Sequence, residues 1–297
     1  MTTIPGTLLV ASLAVLIATA AIGLATTLLA GAPRATRPEA TPVQGSGMGT
    51  PGALRGLRDV GGWATAGLLL ALVLLLAALL VRTVLLGHAP WANLRDFSVA
   101  FAAALLATYL ALGRTQPIAG LAPLAALLAA GIVGFALGLE ERTDPLVPAL
   151  QQPLLLTIHV GTAAIAYAIA GVAFLAAVGE LAQRAASDRL PTLPSAGIAR
   201  AVGHRAVLIG FPILTVAIVL GSVWANLAWR SYWSNDPKEL AAAATWLVFG
   251  AYLHVAGRRD RWAALAPWLI VLGFAGVLFT YIGASLFLVG EHSYAAP

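Results

Sequence analysis

Apolar runs separated by short polar segments dominate the chain. A helix needs about 20 residues to cross a hydrocarbon core roughly 30 Å thick. Eight runs reach or approach that length: 7–30, 60–86, 97–112, 117–139, 153–179, 204–223, 239–256 and 263–289, of which the third is short. The pattern predicts an all-α fold, a polytopic transmembrane helical bundle of about eight spans. No basic residue precedes the first run, and it outlasts a signal-peptide core, so it is expected to remain as a span. Residues 31–59, rich in Pro, Gly, Thr and Ser, read as a flexible linker, and 183–203 as a second. The expected organisation is a first helix plus cytoplasmic linker over 1–59, then a membrane domain over 60–297. No internal repeat stands out, which weakens an inverted-repeat transporter.

Composition agrees. Hydrophobic residues make up 60% of the 297 positions and charged residues 10%, against about 25% charged in a soluble domain. The net charge of +5 does not indicate a nucleic-acid surface, because its sources sit in short loops between apolar runs. All the cationic residues except Lys238 are arginine. Arg34, Arg37, Arg55, Arg58, Arg114, Arg184, Arg189, Arg200, Arg205, Arg258, Arg259 and Arg261 fall on one side. Arg82, Arg95, Arg142, Arg230 and Lys238 fall on the other, with most of the acids. The positive-inside rule makes the first side cytoplasmic, with both termini outside. Cysteine is absent, so the chain can offer no thiolate; with two methionines, any iron falls to the five histidines. No Asp, Glu or Lys lies deep in a span, whereas proton-coupled carriers normally keep one there. His254 alone lies well inside a span, about 22 Å beyond Glu239 and nearer the cytoplasmic face.

The densest polar feature runs from Trp224 to Glu239 on the outer side: Trp224-Ala-Asn-Leu-Ala-Trp229-Arg-Ser-Tyr232-Trp233-Ser-Asn235-Asp236-Pro237-Lys238-Glu239. An interfacial aromatic belt would place Trp singly near helix ends; here four large rings fall in one short loop. Asp236, Pro237 and Glu239 suit a helix N-cap, first and third positions. A shelf of rings beside cations suits a flat apolar macrocycle bearing carboxylates.

This stretch, with Thr245-Trp-Leu-Val and Tyr252-Leu-His254, resembles the tryptophan-rich "WWD" domain of the haem-handling proteins of cytochrome c biogenesis, the CcsA (ResC) type of system II. Gly87-His-Ala-Pro-Trp-Ala-Asn-Leu-Arg-Asp is similar to the family's Pro-x-x-Asn-x-x-Glu stretch. The resemblance runs from about residue 60 to the C-terminus. It implies a bacterial inner-membrane protein that receives haem b as transported substrate near His254. It then implies that haem is held outside by His159 and His292 as axial ligands against Trp224, Trp229 and Trp233, with Asp236 in the same loop. Arg230 or Lys238 is the cation expected to pair with the propionates. It also implies a CcsB/ResB-type membrane partner, which supplies a second inner histidine, and apocytochrome c as acceptor. The implied role is a subunit of a holocytochrome c synthase (cytochrome c haem lyase). His204 reads as interfacial and His88 as loop structure.

The sequence departs from the family's usual Gly at Arg230 and usual Trp at Asn235, which bears on how haem is oriented. It also lacks the Thr-Trp that usually follows Glu239, where Leu240-Ala241 stand. Two other classes stay open: a haem exporter or chaperone of CcmC type without ligation, and a permease for another small molecule. Topology is open to direct labelling. A cysteine at Ser234 should react with a membrane-impermeant maleimide in intact cells, and one at Asp260 should not; reversed labelling would overturn the orientation.

Overall fold

The computed structural model describes residues 3–31, 52–91, 93–141, 153–258 and 261–290. Eight helices long and apolar enough to span a membrane account for nearly all of it, and there is no strand among the described residues. They are α1 (Ile4–Gly31), α2 (Gly52–Leu86), α3 (Leu94–Gly113), α4 (Ala122–Leu137), α5 (Pro153–Ala185), α6 (Ala196–Trp229), α7 (Pro237–Ala256) and α8 (Ala266–Phe287). Helices are the expected solution, since hydrocarbon offers backbone amides no partner and a helix satisfies them internally. The protein is therefore an integral membrane protein.

Helix ends differ from the sequence expectation for local reasons. The short third span starts early, at Leu94, because Asn93 caps it: the Asn93 side chain accepts from the Asp96 amide at 2.8 Å. The expected second linker is mostly helical, and only 186–195 breaks the path between α5 and α6. That turn is fastened: Gln183 donates to the carbonyls of Leu190, Leu193 and Pro194, and Asp188 accepts from the Ala196 amide at 2.7 Å. The 32–51 part of the first linker lies outside the described residues.

The bundle has two halves. In the first, α1 packs on α2 and α4, and α3 on α2 and α4. In the second, α5 packs extensively along α6 and against α8, while α7 bridges α6 and α8; α3 against α5 joins the halves. Much of the core is alanine, among it Ala102, Ala125, Ala129, Ala168, Ala173 and Ala176. Small side chains let helix axes approach closely, which is how helices gain contact where lipid is as apolar as leucine.

At the end of the bundle that holds the 230–236 turn, charges are buried as a network. Arg82 of α2 donates to Asp96 of α3 at 3.1 Å and to Glu141 at 3.2 Å. Arg95 pairs with Glu141 at 3.0 Å, and Thr3 of α1's N-terminus donates to it at 2.7 Å. Burial pushes the Glu141 carboxyl up, but the Thr3 hydrogen bond and the two guanidinium groups outweigh it and hold the group below its ordinary range. At the opposite end Glu180, 2% exposed, pairs with Arg184 and with Arg200 at 2.9 Å. Removing one member of a buried pair strands the other charge, which costs about 3–5 kcal/mol. Arg82→Leu should therefore lower the thermal midpoint in detergent far more than Arg114→Leu, whose side chain is exposed. Equal losses would show that the network does not fasten the helix ends.

Candidate functional site

A cavity opens at the same end of the bundle, between α3, α5, α6, α7 and α8. It encloses about 1190 Å³ of atom-free space, part of it continuous with solvent. On α5 its wall is the stripe Leu156, His159, Val160, Ala163 and Tyr167, one helical face running about 16 Å along the axis. Leu214, Ala217, Ile218 and Gly221 face it from α6. Its depth is apolar and aromatic, with Phe97 5.3 Å from Tyr281 and 6.3 Å from Tyr167 between ring centroids. Tyr281 and Thr280 lie in a π-helical turn, Phe279–Gly283, and the Tyr281 hydroxyl is bonded to that of Ser98. π-turns recur at functional positions in helices. Asn93, Ser222, Lys238 and Glu239 supply polar groups to the wall.

His159 is held from α6. Its Nδ1 lies 3.0 Å from the Ala217 carbonyl oxygen. A carbonyl can only accept, so Nδ1 carries the proton and, in the neutral ring, Nε2 carries the lone pair. The Trp224 ring lies parallel to the imidazole, 10° between planes and 6.1 Å between centroids. Trp224 is 2% exposed and is met edge-on by Trp229 at 4.9 Å.

This corrects the expected shelf. Trp224 and Trp229 belong to α6, which is helical through Trp229, and the loop is only 230–236. No Gly or Pro interrupts Trp224–Trp229, so nothing stops the helix there. It ends where Arg230 turns left-handed, at φ 62°. Trp224 backs the imidazole, Trp229 backs Trp224, and of the three expected rings Trp233 is the one standing at the mouth, 42% exposed.

The loop is tightly bonded. Ser222 donates to the Tyr232 carbonyl at 2.7 Å, and the Trp233 indole donates to Asn235 Oδ1 at 2.9 Å. Asp236 caps α7 as the sequence predicts: it accepts from the Lys238 amide at 2.9 Å, while Glu239 accepts from the Asp236 amide at 3.2 Å. Asp236 is thus buried in the cap rather than on the cavity wall, whereas Lys238 lines the cavity. Asn235 is also left-handed, φ 59°, a conformation that Asn tolerates better than most residues.

The remaining sequence-predicted residues stand apart from the cavity or outside the description. His254 lies in the last turn of α7, about 26 Å from its start and at the far end of the bundle, with its ring exposed. His292 lies outside the described residues; the chain described ends at Gly290, where an added Cβ would stand 2.2 Å from Asp236 Oδ2. Arg230 is at the α6 C-cap and is not part of the wall. His204 bonds the Tyr252 hydroxyl at 3.2 Å, and His88 the Ala89 carbonyl at 3.0 Å. Tyr232, one of the four rings of the expected shelf, does line the wall, whereas the sequence gives no expectation of Trp91, Phe97, Tyr167, Thr280 and Tyr281 there. For Tyr167 alone a signal was available: the spacing 156, 159, 160, 163, 167 puts it on His159's own face of α5.

The comparisons with known proteins agree with one another. A family model described as "Cytochrome C assembly protein" matches residues 91–292. The Cytochrome c biogenesis protein CcsA of Parasynechococcus marenigrum is 34% identical over 76% of this chain and 84% of that one. CcsA of Synechococcus elongatus is 33% identical over 81% and 89%, and CcsA of Chlamydomonas reinhardtii 36% identical over 75% and 65%. Among solved structures, the Cytochrome c Heme Lyase CcmF superposes with a TM-score of 0.62 at 23% identity. That match covers 95% of this chain but only 47% of the longer CcmF chain, so it speaks to the fold. The left-handed turn gives a test of the site's scaffold. An L side chain there costs about 1 kcal/mol over glycine, so Arg230→Gly should be more stable than Arg230→Ala by about that amount in thermal unfolding. Equal stabilities would contradict the left-handed cap.

Proposed function

The chain belongs to the CcsA-type family of cytochrome c biogenesis proteins, and from that membership we propose that it binds haem in the cavity beside His159 and presents it to apocytochrome c. The carrying observation is the imidazole itself: half-buried on the wall of a large amphipathic slot, with its Nε2 lone pair selected by the Nδ1 bond to Ala217. That is the state a histidine must be in to ligate iron.

On this reading the cavity mouth faces the outer side of the bacterial inner membrane, and both termini lie on that side. Haem b is the transported substrate. His159 gives one axial ligand, and His292, two residues beyond the end of the described chain at Gly290, gives the other. Lys238 on the wall and Arg230 at the α6 C-cap are the cations available to the propionates. Trp233 and Tyr232 flank the mouth. Asp236 acts through the loop, fixing the start of α7 and hence Lys238. His254, exposed at the far end of α7, serves an inner haem site completed by a CcsB/ResB-type membrane partner.

The acceptor's Cys-x-x-Cys-His supplies two thiols, each adding S–H across one haem vinyl group to give a thioether with no net redox change. This chain has no cysteine, so it holds and orients, and the reactivity belongs to the cofactor and the thiols. The chain purified from haem-replete membranes should show a Soret band that His159→Ala weakens and free imidazole partly restores. A His159→Ala protein with the wild-type spectrum would remove His159 from the site.

A further inference from the structure

Three features of α6 converge on one ring of α5. Ala217, Gly221 and Trp224 are spaced four and three residues apart, so they form a single stripe on the helix. The Ala217 carbonyl accepts from His159 Nδ1 at 3.0 Å, and the Trp224 ring lies within 10° of the imidazole plane. Between them is Gly221. A Cβ there would stand 2.7 Å from His159 Cε1, 3.3 Å from Nδ1 and 3.4 Å from Nε2, where carbon–carbon contact wants about 3.5–4.0 Å. The helix thus offers a flat recess only because residue 221 has no side chain. The imidazole cannot retreat from an added methyl without lengthening its bond to Ala217 or sliding off Trp224.

We infer that Gly221 is a positioning residue for the haem ligand, acting through His159 by letting the imidazole lie flat in a recess of α6 between the Ala217 carbonyl and Trp224. This rests on the reading of His159 as an axial ligand. The recess fixes two things. It keeps the proton on Nδ1, and it fixes the plane in which the Nε2 lone pair points. A macrocycle bound through Nε2 lies across the metal–nitrogen bond, at right angles to the imidazole plane and so nearly at right angles to Trp224. Trp224 then meets haem edge-on and serves as a backstop for the ligand, leaving face contacts to the exposed rings at the mouth.

The test compares full-length wild type, Gly221→Ala, His159→Gly and the double variant, each loaded with ferric haem in detergent. Groups that orient a metal's ligand typically contribute about 10–100-fold in affinity, so Gly221→Ala should speed haem transfer to apomyoglobin by about that factor. It should also shift the low-spin electron paramagnetic resonance g-values. With His159→Gly supplied with free imidazole, adding Gly221→Ala should change the transfer rate less than twofold, because the external ring is not tethered to the recess. A wild-type rate and spectrum for Gly221→Ala would overturn the proposal. So would an equal loss in both backgrounds, which would mean that the methyl disturbs helix packing rather than the ring. If His159→Gly itself keeps haem as wild type does, it is the ligand reading that fails, and the two failures are distinguishable. Nitrogen-15 resonances of the haem-free wild type provide a check that needs no Gly221 variant. The His159 signal, assigned by its loss in His159→Gly, should report a proton on Nδ1, and a proton on Nε2 would overturn the recess.

Discussion

Hydrocarbon offers no hydrogen-bond partner, so polar groups within the membrane-spanning part of this bundle are met from inside the protein. That constraint sets most of what is distinctive here. It explains why Arg82, Arg95, Asp96 and Glu141 form one network rather than standing singly. A helix start leaves amides unpaired wherever it lies, and α7 meets that need with reciprocal bonds between Asp236 and Glu239. The hydrocarbon constraint also makes His159 legible: on a membrane-spanning helix, the imidazole takes the Ala217 carbonyl of the neighbouring helix as acceptor, and that bond decides which nitrogen can coordinate a metal. A structural necessity and a chemical choice are here the same hydrogen bond.

The two halves of the bundle divide the work. Helices α1, α2 and α4 buttress α3, whose first turn carries Asn93 and Phe97 to the cavity wall. The buried charge network pins that turn, since Asn93 donates to the same Asp96 carboxylate that Arg82 holds. Helices α5 to α8 supply most of the cavity, with α6 presenting the recess and α7 the lysine. On the proposed reading, rigidity at the cavity end is what a presenting protein needs. Haem held in one orientation offers its vinyl groups to an incoming acceptor at a reproducible place, which is how positioning lowers the cost of a bimolecular step.

Much of this could be read from the chain. The eight spans follow from run length, and the α7 cap from Asp236-Pro237-Lys238-Glu239, because both signals are local. The end of α6 could not be read that way. Aromatic density made 224–239 look like a loop, yet Trp224-Ala-Asn-Leu-Ala-Trp contains no breaker, and the helix runs on to the left-handed residue at 230. The family's usual glycine at that position fits such a turn. The recess around His159 was hidden for a different reason. Gly221 looks like any glycine in an apolar run, and only the packing of α5 on α6 shows what its missing side chain makes room for. The wall residues of α3 and α8 were likewise invisible, since long-range packing alone brings them to α5.

On the proposed reading, His159 binds iron in the cavity enclosed by α3, α5, α6, α7 and α8. A cryo-electron microscopy map of the full chain in nanodiscs, prepared from haem-replete membranes, tests it most directly. Planar macrocycle density should appear in the cavity, joined to Nε2 of His159 and lying across the Trp224 ring plane. Density stacked flat on Trp224, or a macrocycle found only beside His254 with the His159 cavity filled by lipid or water, would contradict it.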